Sequence, residues 1–314
     1  MLSAAIDIGS NSVHLLVARF ADGALQPLRD QSEQLGLGDV VDRDGSIPAD
    51  KREDVVTSLR RYADAARSDG AERVTLLGTE PLRRARNADL LAAETRRATR
   101  LPLHVLSEWQ EGALTFLGVT GGVLPSDPLL VVDIGGGSTE IVHYVPGEGL
   151  AVVGLASGSA RLAKGVAVGD PPTDSDLDRL RAAAFELTRA LRPKAPGRAA
   201  TTRAVFVGGT ATKLVRLAPL RPDGLAFAYE VLTSLPAAAV AERHGVSLRR
   251  ATQMAAGAAI VEALLAHFGL EQATVSAASL REGVIRAASA LGDGFLDRLA
   301  ELTTARQATA DLSS

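Results

Sequence analysis

The chain contains the same short motif twice, 126 residues apart. Residues Ile6–Ser12 (IDIGSNS) and Val132–Ser138 (VDIGGGS) share Asp, Ile, Gly and Ser in register. Each copy lies between two runs that are typical of β-strands, so each predicts a β-hairpin. An internal repeat predicts two related halves, and 314 residues are enough for two domains that each bury a core.

Hydrophobic periodicity predicts strands that alternate with helices, which is typical of an α/β fold. In the first half the pattern predicts strands Ala4–Ile8, Val13–Phe20 and Val74–Leu77 and helices Lys51–Arg67 and Ala88–Thr99. In the second half it predicts strands Leu129–Ile134, Ile141–Val145, Ala204–Val207 and Thr274–Ser276, with helices Asp176–Leu191, Gly208 to about Leu217, Ala237–His244, Leu248–Phe268 and one from Arg281. A loop is expected at Pro193–Thr202 and a frayed tail at Thr303–Ser314.

A further helix is predicted just before the second motif. Ser107 followed by Gln110 has the spacing of a capping box, which places Glu111 in the first turns of that helix. The Gly- and Pro-rich stretch Gly118–Pro128 follows and is the best candidate for the boundary between halves. We therefore expect domains at 1–123 and 124–314.

Composition excludes several classes of function. The net charge is −3, so no global cationic field attracts nucleic acid or an anionic membrane. The chain has no cysteine, which excludes disulfides, thiolate metal sites and a cysteine nucleophile, and its five histidines show no close metal-ligand spacing. No apolar run has the length of a signal peptide or a membrane span, so a cytoplasmic protein is expected.

The repeated motif favours phosphate binding over a purely structural turn. A strand that ends in Asp, followed by a Gly/Ser turn and a returning strand, places backbone N–H groups beside a carboxylate. Such a site binds phosphate oxygens, and the carboxylate can hold a metal ion. One copy alone would favour a purely structural tight turn, but two matched copies favour a polyphosphate held from both sides. A dinucleotide fingerprint is excluded because the Gly-rich turn leads into a strand instead of a helix.

Three other features also have a structural interpretation when taken alone: for the first the two interpretations are equally favoured, and for the other two the structural one is preferred. Gly208-Gly209-Thr210 starts a helix after a strand, which fits either an anion site or a tight turn. Arg83, Arg84 and Arg86 fit either phosphate contacts or a solvated helix face. A carboxylate such as Glu111 is either a general base or a favourable charge at a helix start.

Taken together, these motifs resemble the Ppx/GppA family of exopolyphosphatases and guanosine pentaphosphate phosphohydrolases. The match runs in the family's order through IDIGSNS, Asp133–Glu140 (DIGGGSTE), GGT at Gly208–Thr210 and LREG at Leu280–Gly283. The resemblance implies two ribonuclease-H-like domains of the actin, sugar kinase and heat-shock ATPase superfamily, with the active site in the cleft between them. It also implies a homodimer and a role in the stringent response.

The resemblance implies a role for individual residues. Glu111 matches the family's catalytic glutamate, and Arg83, within a Thr-x-x-x-Arg-x-x-x-Asn segment that ends at Asn87, matches an arginine that stabilises transition-state charge. Asp7, Asp133 and Glu140 match the acidic residues that hold Mg²⁺ or another divalent cation. The matched phosphate-binding residues are Asn11, Ser12, Gly135, Gly136, Gly137, Ser138, Arg161, Gly209 and Thr210.

The expected function is Mg²⁺-dependent release of terminal phosphate from inorganic polyphosphate, guanosine pentaphosphate or both. Two alternatives stay open: an ATP-dependent kinase of the same superfamily, and a polyphosphate- or alarmone-binding sensor without turnover. The second is motivated by a departure from the family, which usually has Glu-Glu-Ala-Arg where this chain has Gln110–Ala113 (QEGA). Thr252 and Ser279 also stand where Asp and Gly are common.

Overall fold

The computed structural model describes residues 1–21, 24–189, 191 and 203–304. The loop predicted at Pro193–Thr202 and the tail from residue 305 onward lie outside the described residues. The strands are β1 Leu2–Ile8, β2 Ser12–Ala21, β3 Ala24–Gln34, β4 Arg73–Gly78, β5 Leu103–Val105, β6 Leu129–Ile134, β7 Thr139–Val145, β8 Gly149–Leu155, β9 Ala204–Val207 and β10 Thr274–Val275. The helices are α1 Leu37–Asp44, α2 Ala49–Ser68, α3 Glu80–Arg84, α4 Ala88–Thr99, α5 Glu108–Thr120, α6 Ser159–Val166, α7 Asp174–Arg189, α8 Gly208–Leu214, α9 Pro222–Ser234, α10 Ala237–His244, α11 Leu248–Ala251, α12 Met254–Phe268, α13 Leu280–Leu291 and α14 Ala300–Thr303.

The strands form two five-stranded mixed sheets with the same topology. The first sheet has the order β3-β2-β1-β4-β5 and the second the order β8-β7-β6-β9-β10. In each, three consecutive strands are antiparallel and the last two run parallel to the first strand. The internal repeat therefore corresponds to a duplicated sheet, as the sequence predicted.

The two motifs occupy equivalent positions in their sheets. Asp7 lies opposite His14 in the β1–β2 hairpin, and Asp133 lies opposite Glu140 in the β6–β7 hairpin. The repeat thus places a histidine in the first half where the second half has a carboxylate. This difference makes the second hairpin the more acidic of the two.

Helix α5 lies between the two sheets. Its Leu114 and Leu117 belong to an apolar cluster with β1, β2 and α13, whereas its Phe116 packs with Val131 and Tyr144 of the second sheet. All residues from Glu111 to Gly118 are buried. A helix that is apolar around most of its circumference is typical of a core position. The packing of α5 against both sheets fixes the position of its first turn relative to them.

Helices α5 and α13 approach each other closely at two glycines. A Cβ on Gly118 would lie 2.7 Å from the carbonyl carbon of Ser279, and a Cβ on Gly283 would lie 2.6 Å from that of Leu114. Only glycine permits this backbone contact. Because α13 also packs on β1 and β2 through Val284 and other apolar residues, residues beyond 279 contribute to the core around the first sheet. The division at 123/124 stays a prediction.

Several elements differ from the prediction. Helix α5 continues to Thr120, so Gly118 belongs to it and the loop before β6 begins at Gly121. The helix predicted over Leu248–Phe268 is broken into α11 and α12 at Thr252 and Gln253. At the break, Gln253 N donates to the Arg250 carbonyl and the Thr252 hydroxyl donates to the Arg249 carbonyl, both to a residue three positions earlier. Strand β3, which pattern reasoning missed, is a mostly exposed edge strand without alternating apolar residues. The sequence pattern also did not predict α1, α3, β5, β8, α6, α9 or α14.

Among the described residues, no helix combines the length and the apolar character that a membrane crossing requires.

Candidate functional site

The turns of the two hairpins lie against each other. Each turn is closed by the same backbone hydrogen bond, from Gly9 N to Ser12 O at 2.9 Å and from Gly135 N to Ser138 O at 3.0 Å. A Cβ on Gly136 would lie 2.9 Å from Cγ of Asn11. The Asn11 side chain thus lies directly over Gly136, and a side chain at residue 136 would displace it.

Both turns keep backbone N–H groups available. Within the described residues, the amides of Ser10, Asn11, Gly136 and Gly137 donate no hydrogen bond to the protein. Successive free amides in a turn form a concavity that favours an anion. The structure therefore brings together the predicted phosphate-binding residues Asn11, Ser12, Gly135, Gly136, Gly137 and Ser138 in a way that is compatible with that role.

Glu111 and Arg83 form an ion pair at this site. Arg83 Nη1 lies 2.5 Å from Glu111 Oε2 and donates to the Leu106 carbonyl at 3.0 Å. Burial raises the pKa of Glu111, and the Arg83 guanidinium opposes that rise. Ser107 starts α5 with a capping box, as predicted, and so fixes the turn that carries Glu111. The two residues expected to be catalytic are thus in direct contact.

The second hairpin adds two acidic side chains. Glu140 is 3% exposed, and its Oε1 has no hydrogen-bond partner in the described structure, Arg83 Nη2 being 3.6 Å away. Burial, followed by the charges of Glu111 and Asp7, raises the pKa of Asp133 to about 7. Burial with the Glu111 and Asp133 carboxylates raises the pKa of Glu140 well above its usual value. This part of the site carries more negative charge than nearby cations compensate.

The acidic residues fit a divalent cation only in part. Asp133 and Glu140 are neighbours in the hairpin, and the orphaned Glu140 oxygen is the kind of group that a cation satisfies. Asp7, by contrast, lies 3.6 Å from Nε of Arg281. No three His, Asp or Glu side chains of the described residues converge closely enough to form a complete metal site. A Mg²⁺ ion would therefore take a minority of its ligands from the protein and the remainder from water and phosphate oxygens, as Mg²⁺ usually does.

Arg161 lies in a network of ion pairs between the two halves. Its guanidinium reaches Asp42 Oδ1 at 2.8 Å and Glu80 Oε1 at 3.0 Å, and it also donates to the Gly137 carbonyl. Arg84 shares the same two carboxylates. Its expected role in phosphate binding stays a prediction, since here its guanidinium holds the Gly-rich turn against α1 and α3.

The Gly208–Thr210 segment starts α8 beside the second turn. The Thr210 hydroxyl lies 2.9 Å from that of Ser159 and 3.4 Å from the Gly135 carbonyl. The backbone N–H of Ser159 also donates to Gly135 O at 3.0 Å. Gly209 and Thr210 are therefore adjacent to the Gly-rich turn, as expected from the sequence.

Sequence reasoning missed two arginines of α11. Arg249 Nη2 reaches from the second half to Asn11 Oδ1 at 2.9 Å and to Asp39 Oδ2 at 2.5 Å. Arg250 lies over Gly209, where a Cβ would be 2.6 Å from Nη2, and contacts the Ser159 and Thr210 hydroxyls at 3.5 and 3.4 Å. The only available signal was an Arg-Arg pair before a long apolar helix, which is usually a solvated turn.

Asn87, the last residue of the Thr-x-x-x-Arg-x-x-x-Asn segment, has a structural role. Its side-chain amide accepts from Ile47 N at 2.8 Å and donates to Ile47 O at 2.9 Å. These bonds tie the loop before α2 to the start of α4. Asn87 thus fixes the local backbone near Arg83 without reaching the acidic cluster.

The residues that depart from the family pattern lie in packing positions. Gln110 completes the capping box and donates to the Leu296 carbonyl at 3.2 Å. A Cβ on Gly112 would lie 2.6 Å from a methyl group of Val152, and Ala113 is fully buried among apolar residues. Within the described structure, these residues contact Ser107, Leu296 and Val152 and not the side chains of Glu111 or Arg83, so the departures leave the ion pair intact.

Comparisons with known proteins identify the family and the fold of this chain. The model of the Ppx/GppA phosphatase family matches residues 16–289. "Exopolyphosphatase 1" of Mycobacterium leprae is 29% identical over 303 residues, covering 89% of this chain and 87% of that protein, and the Mycobacterium tuberculosis protein of that name is 29% identical over 297 residues, covering 89% and 86%. The crystal structure of the Aquifex aeolicus Ppx/GppA family member is 29% identical, has a TM-score of 0.78 and covers 92% of this chain and 98% of that one. An exopolyphosphatase structure from Cytophaga hutchinsonii, 22% identical with a TM-score of 0.79 and coverage of 95% and 98%, shares the fold.

Proposed function

Because this chain belongs to the Ppx/GppA phosphatase family, we propose that it is a phosphohydrolase that releases the terminal phosphate of inorganic polyphosphate. The names of its relatives support this substrate. The observation that carries the proposal is the buried Glu111–Arg83 ion pair beside two opposed turns with free amides. A hydrolase needs a carboxylate for the attacking water and positive charge for the phosphoryl group, and this arrangement contains both.

Glu111 is the candidate group for orienting and deprotonating water. Burial raises the pKa of its carboxyl, which makes the carboxylate a better proton acceptor near neutral pH. Arg83 Nη1 lies 2.5 Å from Glu111 Oε2, and Arg83 Nη2 lies 3.6 Å from Glu140 Oε1. On substrate binding, the same guanidinium would be positioned to stabilise charge on the transferred phosphoryl oxygens.

The turns would bind the terminal phosphate from two sides. Free amides at Ser10 and Asn11 and at Gly136 and Gly137 provide donors whose geometry is fixed by the two closing hydrogen bonds. A Mg²⁺ ion held by Asp133 and Glu140, with Asp7 nearby, would supply charge neutralisation for the phosphate oxygens. The protein residues would then orient the phosphate and exclude bulk water.

Guanosine pentaphosphate is the second substrate we propose, since it presents the same terminal phosphoryl chemistry. A kinase would instead transfer phosphate to an acceptor, and a sensor would bind without turnover. The departures at Gln110, Gly112 and Ala113, which raised the sensor alternative, have packing explanations. Retention of Glu111 and Arg83 in contact favours a hydrolase over the sensor.

The test measures phosphate release from polyphosphate, guanosine pentaphosphate and ATP in the presence of Mg²⁺. We expect release from at least one of the first two, and we expect Glu111→Gln to abolish it while substrate still binds. Glu108→Gln is the matched control, because Glu108 lies in the same helical turn but is exposed. Equal turnover in Glu111→Gln would remove this residue from the mechanism, and production of ADP with a phosphorylated acceptor would identify a kinase.

The metal requirement has its own test. We expect a chelator to stop phosphate release and Mg²⁺ to raise the melting temperature of the wild type, because ligand binding to the folded state stabilises it. Asp133→Asn should lose that melting response. An undiminished response in the variant would place the cation elsewhere. Sedimentation analysis of the same samples tests the expected homodimer.

A further inference from the structure

Most arginines near the candidate site are paired with a carboxylate. Arg83, Arg161, Arg249 and Arg281 each lie within 3.0 Å of an Asp or Glu oxygen. These side chains are held in place by the protein's own negative charges. A substrate phosphate that bound to them would have to compete with those carboxylates.

Three cations beside α8 differ from this pattern. Among the described residues, no Asp or Glu oxygen lies within 4.0 Å of the charged groups of Lys213, Arg216 or Arg250. Among the described residues, the Arg216 guanidinium donates only to the Gly245 carbonyl, at 2.8 Å, and the Arg250 guanidinium only to the Ser159 and Thr210 hydroxyls, at 3.4 Å or longer. Their positive charge is thus uncompensated within the described chain.

The three cations form a row that leads away from the Gly-rich turn. Arg250 lies over Gly209, Lys213 follows Thr210 by one helical turn, and Arg216 follows Lys213 by another. The helical winding continues past the end of α8, since Arg216 N donates to Lys213 O at 3.1 Å. Residues three or four apart share a helix face, and the seven residue-to-residue steps from Gly209 to Arg216 span about 10 Å.

The electrostatics agree with this placement. Burial, followed by the charges of Arg216 and Arg250, lowers the pKa of Lys213. Burial and Arg249 likewise lower the pKa of Arg250. Grouping cations such as the partly buried Lys213 and Arg250 without a carboxylate is unfavourable unless an anion binds there. The cluster is therefore a local positive region in a chain whose net charge is −3.

We propose that Lys213 and Arg216, continuing from Arg250, form a second anion subsite that binds phosphate groups remote from the one released. The subsite would take a second phosphate-rich group, either the continuation of a polyphosphate chain or the other phosphates of a guanosine polyphosphate. It rests on the proposed function, because it assigns the remote part of that substrate. It predicts that affinity rises with the number of phosphates in the ligand.

The experiment measures binding of pyrophosphate, a long linear polyphosphate and guanosine pentaphosphate to the full chain carrying Glu111→Gln, which prevents turnover. We expect Lys213→Met to weaken binding of the long polyphosphate about 5- to 10-fold, and Arg216→Gln about 3-fold because Arg216 is exposed. Pyrophosphate binding should change less than 2-fold. Because each cation displaces about one counterion, the salt dependence of polyphosphate binding should also fall by about one unit per variant.

The controls separate charge from folding. Arg97→Gln removes an exposed charge on α4 in the first half and should leave all affinities unchanged. Lys213→Arg should restore binding of the long chain. In an otherwise wild-type enzyme, Lys213→Met should raise KM for the long chain with little change in kcat.

The outcomes distinguish the two proposals. Equal losses for pyrophosphate and long polyphosphate, or no loss for either, would overturn the subsite. Weaker binding of guanosine pentaphosphate alone would assign the subsite to the nucleotide's other phosphates, and weaker binding of the long chain would assign it to polyphosphate. If the wild type released no phosphate but length-dependent binding still required Lys213, the proposed hydrolase would fail while the subsite stood.

Discussion

The contact between α5 and α13 leads to a quantitative prediction for Gly283→Ala. The new Cβ would lie 2.6 Å from the carbonyl carbon of Leu114 and 3.0 Å from the backbone nitrogen of Gly118. Favourable carbon contacts are at about 3.5–4.0 Å, so the helices would have to separate by roughly 1 Å. Both obstructing groups belong to the backbone and cannot rotate away.

Overpacking of a well-packed core destabilises a protein by about 1–3 kcal/mol. Because backbone blocks the new methyl group here, we expect a loss of about 3 kcal/mol, the upper end of that range. At about 2–4 °C per kcal/mol, the melting temperature should fall by roughly 6–12 °C. The assay is thermal unfolding followed by circular dichroism, with urea unfolding at fixed temperature as the second measurement.

The same displacement should also affect phosphate release. Glu111 is carried by α5 and Arg281 by α13, and Arg281 lies 3.6 Å from Asp7. A shift of about 1 Å between the helices moves these groups relative to each other, and a misplacement of that size can lower a rate by about 100-fold. We therefore expect a lower kcat even at temperatures where Gly283→Ala is fully folded.

Gly165→Ala is the matched control. Gly165 lies inside α6, and no atom lies within 4 Å of the position a Cβ would take. Alanine is a better helix former than glycine, so this variant should be as stable as the wild type or up to about 1 kcal/mol more stable. The reasoning would be refuted if Gly283→Ala and Gly165→Ala had the same melting temperature and the same kcat.

Three further predictions follow from contacts in and near the site. The pKa of Asp133 is raised from 3.8 to about 7, so the folded state binds the extra proton and the free energy of unfolding should decrease as pH rises from about 4 to about 7. Chelator-treated Asp133→Asn should show a smaller decrease, with Glu111 and Glu140 still contributing, and should melt higher than the wild type at pH 8; parallel pH profiles would contradict the assignment. Asn87→Ala removes two hydrogen bonds to the Ile47 backbone and should lower the free energy of urea unfolding by about 2 kcal/mol while KM is unchanged, whereas a raised KM with full stability would indicate substrate contact. Asp39→Asn removes the carboxylate that holds Arg249, which frees the guanidinium for the substrate and should lower KM for polyphosphate about 3-fold at low salt. Initial rates measured against polyphosphate concentration in 0.05 M and 0.5 M salt would check this, and a raised KM would show that Asp39 assists binding.

The repeated motif made the central part of the fold predictable from the sequence. It located β1, β2, β6 and β7 and the two turns, because the Asp-Gly-Ser pattern and the flanking apolar runs are local signals. The capping box at Ser107 and Gln110 likewise located the start of α5. Edge strand β3 was missed because its residues are mostly polar and exposed, and such a strand is defined by its neighbour β2 instead of by its own pattern.

The candidate site was predictable to a lesser extent. From the residues alone, Glu111 is best interpreted as a favourable charge at a helix start, and only the resemblance to a family reverses that interpretation in favour of a base. The Arg83 contact, the orphaned Glu140 oxygen and the Arg250 placement over Gly209 depend on residues far apart in sequence. No local pattern encodes such distances, which arise when α5, α11 and both hairpins pack together.

The position of α13 has a consequence for how the chain acquires its structure during synthesis. Val284 and Ile285 complete the apolar cluster that covers Ala5 and Leu16 of the first sheet. When the first half emerges from the ribosome, α5 covers part of that face, but the part that α13 covers stays exposed until almost the whole chain has been made. A fragment ending at residue 123 is therefore expected to expose apolar surface and to aggregate, and a separately added peptide spanning α13 should rescue it. The duplicated sheets are related in topology, but the core around the first sheet is complete only when the end of the chain has joined it.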